Sequence, residues 1–376
     1  TVKIRDAPLG KVPSPGSGTD MEERIFQGQS KETLFQEVME RIEIEGDPIG
    51  SLQRSVQTWK ALGCAPEIID WIEHGVKFVF WETPPQSEDH NRNYVKPGPE
   101  MDFTNKEVTR LLLIGAIEEV PEAEAAAVPG YEVPIGCAAR VTTDGKIKYR
   151  KIVNATDGTE GPNNFMIDRK FKMESIDNLL KMMGKNWFGF TFDLRAGFHH
   201  LMLHPDHRRW LRFKWAGRIF QYRVLPFGPK HSPYLFSKCV SEFVKILRRG
   251  CVRENCDHRT CRFRAAPHGV YIVPYVDDFA VVAASKELCI RIREEIIVPL
   301  LAEMGWIRAL DKGSWEPSQR FEFLGLLIDS TLGQVIIPDL KLKTYLSAID
   351  KILSEREVTP KMLAALAGKI VSIMRA

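Results

Sequence analysis

Two strand-length apolar runs, Gly269–Pro274 and Phe279–Ala284, bracket the tetrapeptide Tyr275-Val276-Asp277-Asp278. Both runs are β-branched or aromatic, so the segment predicts a hairpin with adjacent carboxylates at its turn. Neighbouring acids repel and gain nothing from burial, so a chain that sets them beside buried strands neutralises them with a cation. Upstream, Trp187-Phe188-Gly189-Phe190-Thr191-Phe192-Asp193 is another apolar strand ending on a carboxylate. Three acids at strand ends can hold two Mg²⁺ ions for phosphoryl transfer. An isolated Asp-Asp pair is most often an ordinary polar turn; the flanking strands are what point to a metal here.

The chain has 376 residues and 44% hydrophobic content, enough for more than one core and for two or three subdomains. A formal net charge of +3 does not by itself argue for nucleic acid. The distribution says more. Arg140, Lys146, Lys148, Arg150 and Lys151 form one basic cluster, and Arg208, Arg209, Arg212 and Lys214 a second. A third holds Lys245, Arg248, Arg249, Arg253, Arg259, Arg262 and Arg264. Flanking the acidic strands, the three predict a groove for a phosphate backbone. Seven scattered cysteines, no secretory h-region and no apolar run of about 18 residues predict a reducing intracellular compartment, cytoplasmic or nuclear, and no membrane. The first residue is Thr1 and the last residues form an apolar helical stripe, so both ends read as cuts from something longer.

Residues 1–20 are rich in Gly, Pro and Ser and predict a disordered lead. Helical patterning fills much of 21–98, with a polar, Pro-bearing linker over 84–99. Asn105–Ile117 is amphipathic, and 135–153 predicts a hairpin with Thr143-Asp144-Gly145-Lys146 at its tip. Strand patterns return at 185–193, 209–215 and 218–224, and Ser232-Pro233 opens a helix to about Arg249. After the acidic hairpin come a helix near 286–304, strands near 305–310 and 320–328, and helices near 340–355 and 360–375. The order is mixed α+β, without repeats.

Several motifs, in order along the chain, resemble those of reverse transcriptases. They are Phe192-Asp193-Leu194-Arg195-Ala196-Gly197-Phe198-His199-His200, Leu225-Pro226-Phe227-Gly228 with Ser232-Pro233, and Tyr275-Val276-Asp277-Asp278. Glu303-Met304-Gly305-Trp306 with Lys312, and then Phe323-Leu324-Gly325, complete the series. A subgroup resemblance, to DIRS-type retrotransposons carrying a tyrosine recombinase, rests on Trp59-Lys60-Ala61-Leu62-Gly63, Phe171-Lys172-Met173-Glu174-Ser175 and the closing Leu366-x-Gly368-Lys369. Gypsy-type and plant pararetroviral polymerases share several of these.

The resemblance implies an α+β right-hand polymerase fold with an N-terminal helical extension over 21–98. It implies fingers over 99–168 and 201–235, palm over 169–200 and 236–333, and the start of a thumb over 334–376. Asp193 and Asp277 would bridge two Mg²⁺ ions, with Asp278 in support and Mn²⁺ able to substitute. Lys312 would protonate the leaving pyrophosphate. Arg150 and Lys151 would bind the dNTP, the guanidinium fork suiting two phosphate oxygens at once. Phe198, five residues after Asp193, would exclude a ribose 2′-hydroxyl, with Phe227 and Gly228 beside it. Phe323, Leu324 and Gly325 would grip the primer. The lysine expected before Arg150 is replaced near Thr142-Thr143, and Asn154-Ala155-Thr156-Asp157 departs from the family's acid-x-Arg pattern. Implied partners are an RNA template, a DNA primer–template duplex, dNTPs, and downstream RNase H and recombinase regions of a longer polyprotein.

The segment 248–268 stays open between two readings. Cys251, Cys256, His258, Cys261 and His268 could supply four ligands to Zn²⁺, although their spacing is not the tight pair of common zinc sites. The alternative is free thiols on an arginine-rich loop. For function, an RNA-directed DNA polymerase competes with a non-catalytic nucleic-acid scaffold and with an RNA-dependent RNA polymerase. Joint retention of the acids, Arg150 and Phe198 weighs against the scaffold, and the aromatic gate against the RNA polymerase.

Overall fold

The apolar run that follows the paired acids is buried on both faces, which is why it reads as an unbroken hydrophobic stretch. In the computed structural model, which describes residues 31–87, 93–142, 145–249, 270–355 and 357–374, the strands in chain order are β1 (Ile117–Val120), β2 (Ile135–Val141), β3 (Ile147–Val153), β4 (Phe188–Asp193), β5 (Arg212–Trp215) and β6 (Arg218–Tyr222). They continue with β7 (Val270–Tyr275), β8 (Asp278–Ala283), β9 (Arg320–Phe323), β10 (Leu326–Asp329) and β11 (Gln334–Ile336). An antiparallel sheet β4-β8-β7 carries the acids, with β8 in the centre. Along β8, Phe279, Val281 and Ala283 enter the main core, while Ala280 and Val282 enter a second core with Ile176, Leu179, Phe321 and Ile328. The period of two thus feeds two cores from one strand.

Beneath the sheet lies the helix Ser232–Arg249, whose Phe243 meets Phe279 edge-on with ring centroids 5.9 Å apart. Ser232 donates to the Pro226 carbonyl at 2.7 Å, so it closes the preceding loop rather than capping the helix. On the other face sits the three-stranded sheet β11-β10-β9, joined at β9–β10 by a two-residue turn, Leu324-Gly325, with both φ angles positive at 51° and 69°. The remaining sheets are β1-β6-β5 and the two-stranded β2-β3.

The N-terminal extension is helical, as expected, over Lys31–Glu45, Ser51–Arg54, Val56–Ala61 and Pro66–His74. It is clamped to the body. The Trp59 side chain is fully buried, donates to the Met304 carbonyl at 2.9 Å and packs on Trp306. Arg195, two residues past Asp193, pairs with Glu45 at 3.0 Å and donates to the Gly46 carbonyl at 2.6 Å.

Three expectations are corrected. The helix predicted over 105–117 spans Pro99–Leu113 and ends in a Schellman arrangement, with Ala116 N–H on the Leu111 carbonyl and Gly115 N–H on the Leu112 carbonyl; Ile117 therefore opens β1. The strand predicted near 305–310 is reduced to a single bridge, Leu194 to Arg308. Three of the four residues of the second basic cluster are taken up by the body of the fold. Arg208 pairs with Glu118 at 3.0 Å, Lys214 with Glu132 at 3.4 Å, and buried Arg212 donates to the Val128 carbonyl at 2.6 Å. Among the described residues, no helix is long and apolar enough to cross a membrane.

Candidate active site

Asp193 ends β4 and Asp278 opens β8, and the register sets them opposite each other. Asp277 sits in the turn that joins β7 to β8, tied down by its own carbonyl, which accepts the Leu194 N–H at 3.0 Å. Val276, beside it, takes φ 58°, a left-handed conformation that is an outlier for a β-branched residue and costs about 1–3 kcal/mol. The hairpin thus tolerates strain at the residue that aims its acids. Gly197 passes directly beneath: a Cβ there would lie 3.0 Å from both the Asp277 Cβ and the Phe236 ring. Any side chain at 197 would push the turn out of place.

Burial raises the Asp277 and Asp278 carboxyls above their ordinary value, with Lys312 pulling both back down and Arg150 doing the same at Asp277. Partly buried hard oxygens, compensated by two long exposed side chains, make a donor set that fits a divalent cation. Among the described residues, no three His, Cys, Asp or Glu side chains close into a metal-holding cluster, so the acids share a cleft without forming a tight ligand set. That cleft, about 410 Å³, runs from Asp193 and Asp278 past Lys312 to Phe323, Leu324 and Gly325; Asp277 sits beside it and does not line it. Residues more than 100 positions apart in the chain therefore line one space. Phe323 itself is buried in the second core, leaving Leu324 and Gly325 at the rim.

Phe198 is only 3% exposed, wedged between Phe227 at 4.4 Å and Phe236 at 5.2 Å between ring centroids. Gly228 takes φ 123°, and a Cβ on it would run into the Val153 carbonyl, so the Phe227 loop is pressed against the end of β3. Arg150 is exposed on β3 and acts electrostatically on Asp277. Lys151, expected beside it on the nucleotide, is turned to the opposite face by strand alternation. Its buried Nζ has no hydrogen-bond partner and lies 3.9 Å from the Phe213 ring centroid, and burial pulls the amine down to about 7. Lys151 is therefore not part of the nucleotide face. The five candidate zinc residues, Cys251, Cys256, His258, Cys261 and His268, lie outside the described residues.

Two residues near the acids had no role assigned from sequence. His200 is buried, with Nδ1 3.0 Å from the Gly197 carbonyl and Nε2 accepting the Ile307 N–H at 3.0 Å. It ties the segment under Asp277 to the segment whose Arg308 bridges Leu194. Trp315 meets Phe190 and Phe192 edge-on and carries Arg308 at 3.9 Å over its face. A ring three residues after Lys312 was the one available signal for it.

Solved structures share the fold. A foamy viral protease-reverse transcriptase in complex with dsDNA superposes with a TM-score of 0.55 at 17% identity, covering 85% of this chain and 61% of that one. The protein has the right-hand polymerase fold. The family model described as reverse transcriptase (RNA-dependent DNA polymerase) matches residues 138–328, half of the sequence, and the chain belongs to that family. Curated relatives are polyproteins of retroelements and plant viruses. The genome polyprotein of Petunia vein clearing virus (isolate Shepherd) is 37% identical over 86 residues, 23% of this chain and 4% of the polyprotein. The retrovirus-related Pol polyprotein from transposon gypsy of Drosophila melanogaster is 26% identical over 152 residues, 38% of this chain and 13% of that protein. The chain thus spans a small fraction of the curated relatives it matches.

Proposed function

We propose that this chain is the RNA-directed DNA polymerase segment of a retroelement polyprotein, adding dNTPs to a primer 3′-hydroxyl on an RNA or DNA template. The observation that carries this reading is the single cleft joining Asp193, Asp278, Lys312 and the Leu324-Gly325 turn. Asp193 and Asp277, supported by Asp278, are the residues to hold a pair of Mg²⁺ ions, replaceable by Mn²⁺; the chemistry supplied is activation of the 3′-hydroxyl and neutralisation of charge on pyrophosphate. Arg150 binds the triphosphate from the exposed face of β3, and its guanidinium orients two phosphate oxygens together. Phe198, packed between Phe236 and the exposed Phe227, backs the wall that excludes a 2′-hydroxyl. Lys312 donates the proton to the leaving group. Leu324 and Gly325 hold the primer end.

In this reading 99–168 and 201–235 are fingers, 169–200 and 236–333 palm, and 334–376 the start of the thumb. Support for the last comes from Lys341, on the helix Asp339–Ser354, whose Nζ donates to the Gly325 carbonyl at 3.0 Å. The finer class we favour is DIRS-type, acting inside the cell beside downstream RNase H and recombinase regions. Its support is the Trp59–Gly63 motif, whose Trp59 anchors the extension to the palm.

Primer extension on an RNA template, with dNTPs against NTPs, tests the proposal. Extension with dNTPs that needs Mg²⁺ and is lost in Asp193→Asn is the expected result. Equal use of NTPs would favour an RNA polymerase, and tight binding without extension would leave a scaffold.

A further inference from the structure

Trp81 is 62% exposed, yet it is held in place. Its indole N–H donates to the Asn164 carbonyl at 3.1 Å, and its backbone N–H donates to the Phe165 carbonyl at 2.9 Å. Its ring stacks on Phe165, with centroids 5.7 Å apart and planes 19° from parallel. An exposed ring fixed on one face and open on the other binds a flat partner at little ordering cost.

The ring's position is as informative as its exposure. Asn163, beside Asn164, donates to the Gly228 carbonyl at 3.0 Å and accepts the Lys230 N–H at 2.8 Å. Gly228 follows Phe227, which is 63% exposed and rests on Phe198. Contacts therefore run without a break from the sugar gate through Phe227, Gly228, Asn163 and Asn164 to Trp81. The segments joined here, 76–82, 160–172 and 228–230, carry Lys77, Arg169, Lys170, Lys172 and Lys230 against Glu82, Glu160 and Asp168. Asp168 is taken up by Lys230 at 2.9 Å. The surroundings are cationic, and Trp81 is the most exposed large apolar side chain of these segments, with Val79 and Ile167 each 38% exposed; one broad ring among cations suits a base on a phosphate backbone better than an apolar protein face.

We propose that Trp81 and Phe165 form a stacking platform for an unpaired base of the template strand, beyond the Phe227-Gly228 loop. This rests on the polymerase reading for the identity of the strand, and it extends the template path onto the N-terminal extension. Stacking uses a π face that every base has, so the platform reads no sequence.

The test compares the affinity of the full 376-residue chain for a blunt duplex and for the same duplex with about ten unpaired template nucleotides, a length typical of single-strand sites. Trp81→Ala should reduce the gain in affinity from the overhang by about tenfold, Trp81→Leu should do the same, and Trp81→Phe should retain most of it. The loss should be equal at low and high salt, because stacking releases no counterions. Unchanged overhang gain in Trp81→Ala overturns the platform, as does Trp81-dependent self-association in light scattering with the overhang gain intact. Normal primer extension with a Trp81-independent overhang would sink the platform alone. Trp81-dependent overhang binding without any extension would uphold the platform and sink the polymerase reading.

Discussion

Two hairpins carry the charges this chemistry needs, and they are built on opposite principles. In β7–β8 the acids stand at the end of a central strand whose residues Phe279 to Ala283 are all buried. In β2–β3 only Ile135, Gly136 and Val153, at the base, are buried, and Arg150 rides on an exposed two-stranded arm. A two-stranded ribbon has little stability of its own and takes its place from its attachments, here chiefly the Val153–Gly228 contact and the helix Pro99–Leu113. Acids that share cations need fixed mutual geometry, so they are set in a core. A cation that grips a triphosphate needs reach, so it is set on an arm.

The contrast breaks most visibly at the acids. Asp193→Asn and Asp277→Asn should each lower primer extension more than about a thousandfold, since a metal ligand is removed. Neither should unfold the sheet, because Asn keeps the shape; equal activity with Mg²⁺ in either variant would remove the metal assignment. Arg150→Ala should cost about a hundredfold in kcat/KM, mostly through KM for dNTP, with Arg150→Lys intermediate because it keeps charge but loses the fork. An unmoved KM would mean that the arm does not reach the nucleotide. Phe198→Val belongs to the core side of the comparison. Its preference for dNTP over rNTP should fall about tenfold or more, while lost packing against Phe227 and Phe236 lowers the melting temperature. A lower melting point with unchanged selectivity would make Phe198 a packing residue only.

What the sequence displayed and what it hid follow the same division. Strands buried on both faces produce long apolar runs, so β4 and β8 and the acids at their ends are legible directly. Lys151 was misplaced because composition groups it with Arg150, whereas strand alternation sends neighbours to opposite faces. Arg208, Arg212 and Lys214 form a cationic cluster only along the chain; in three dimensions their partners are Glu118, the Val128 carbonyl and Glu132, all on other segments. β11 is three residues long, too short for a periodic signal. The roles of His200 and Trp315 exist only once β4 has been packed, and nothing local announces them.

His200 supplies the finest test of the buried side. Its neutral ring fits both contacts, Nδ1–H donating to the Gly197 carbonyl and Nε2 accepting from Ile307, and it packs tilted on Trp306 with ring centroids 5.1 Å apart. Burial pulls its pKa from 6.5 down to about 3. Between those values the unfolded chain holds a proton that the folded chain refuses. Stability that is complete above pH 6.5 should therefore fall as the pH drops toward 3, by up to about 1.4 kcal/mol per pH unit for this group. His199, also held down at about 3, and His207, at about 4, add to the same slope. His200→Gln should cost about 1–2 kcal/mol at pH 7 through the lost contacts, yet flatten the acid slope by about one proton. Urea unfolding at a series of pH values reads both quantities. Because Gly197, whose carbonyl His200 holds, lies against Asp277, the same variant should lower kcat modestly and leave KM for dNTP where it was. A slope unchanged by His200→Gln would show that the ring titrates as freely in the folded chain as in the unfolded one. The sheet side of the site would then rest on Gly197 and Phe236 without it.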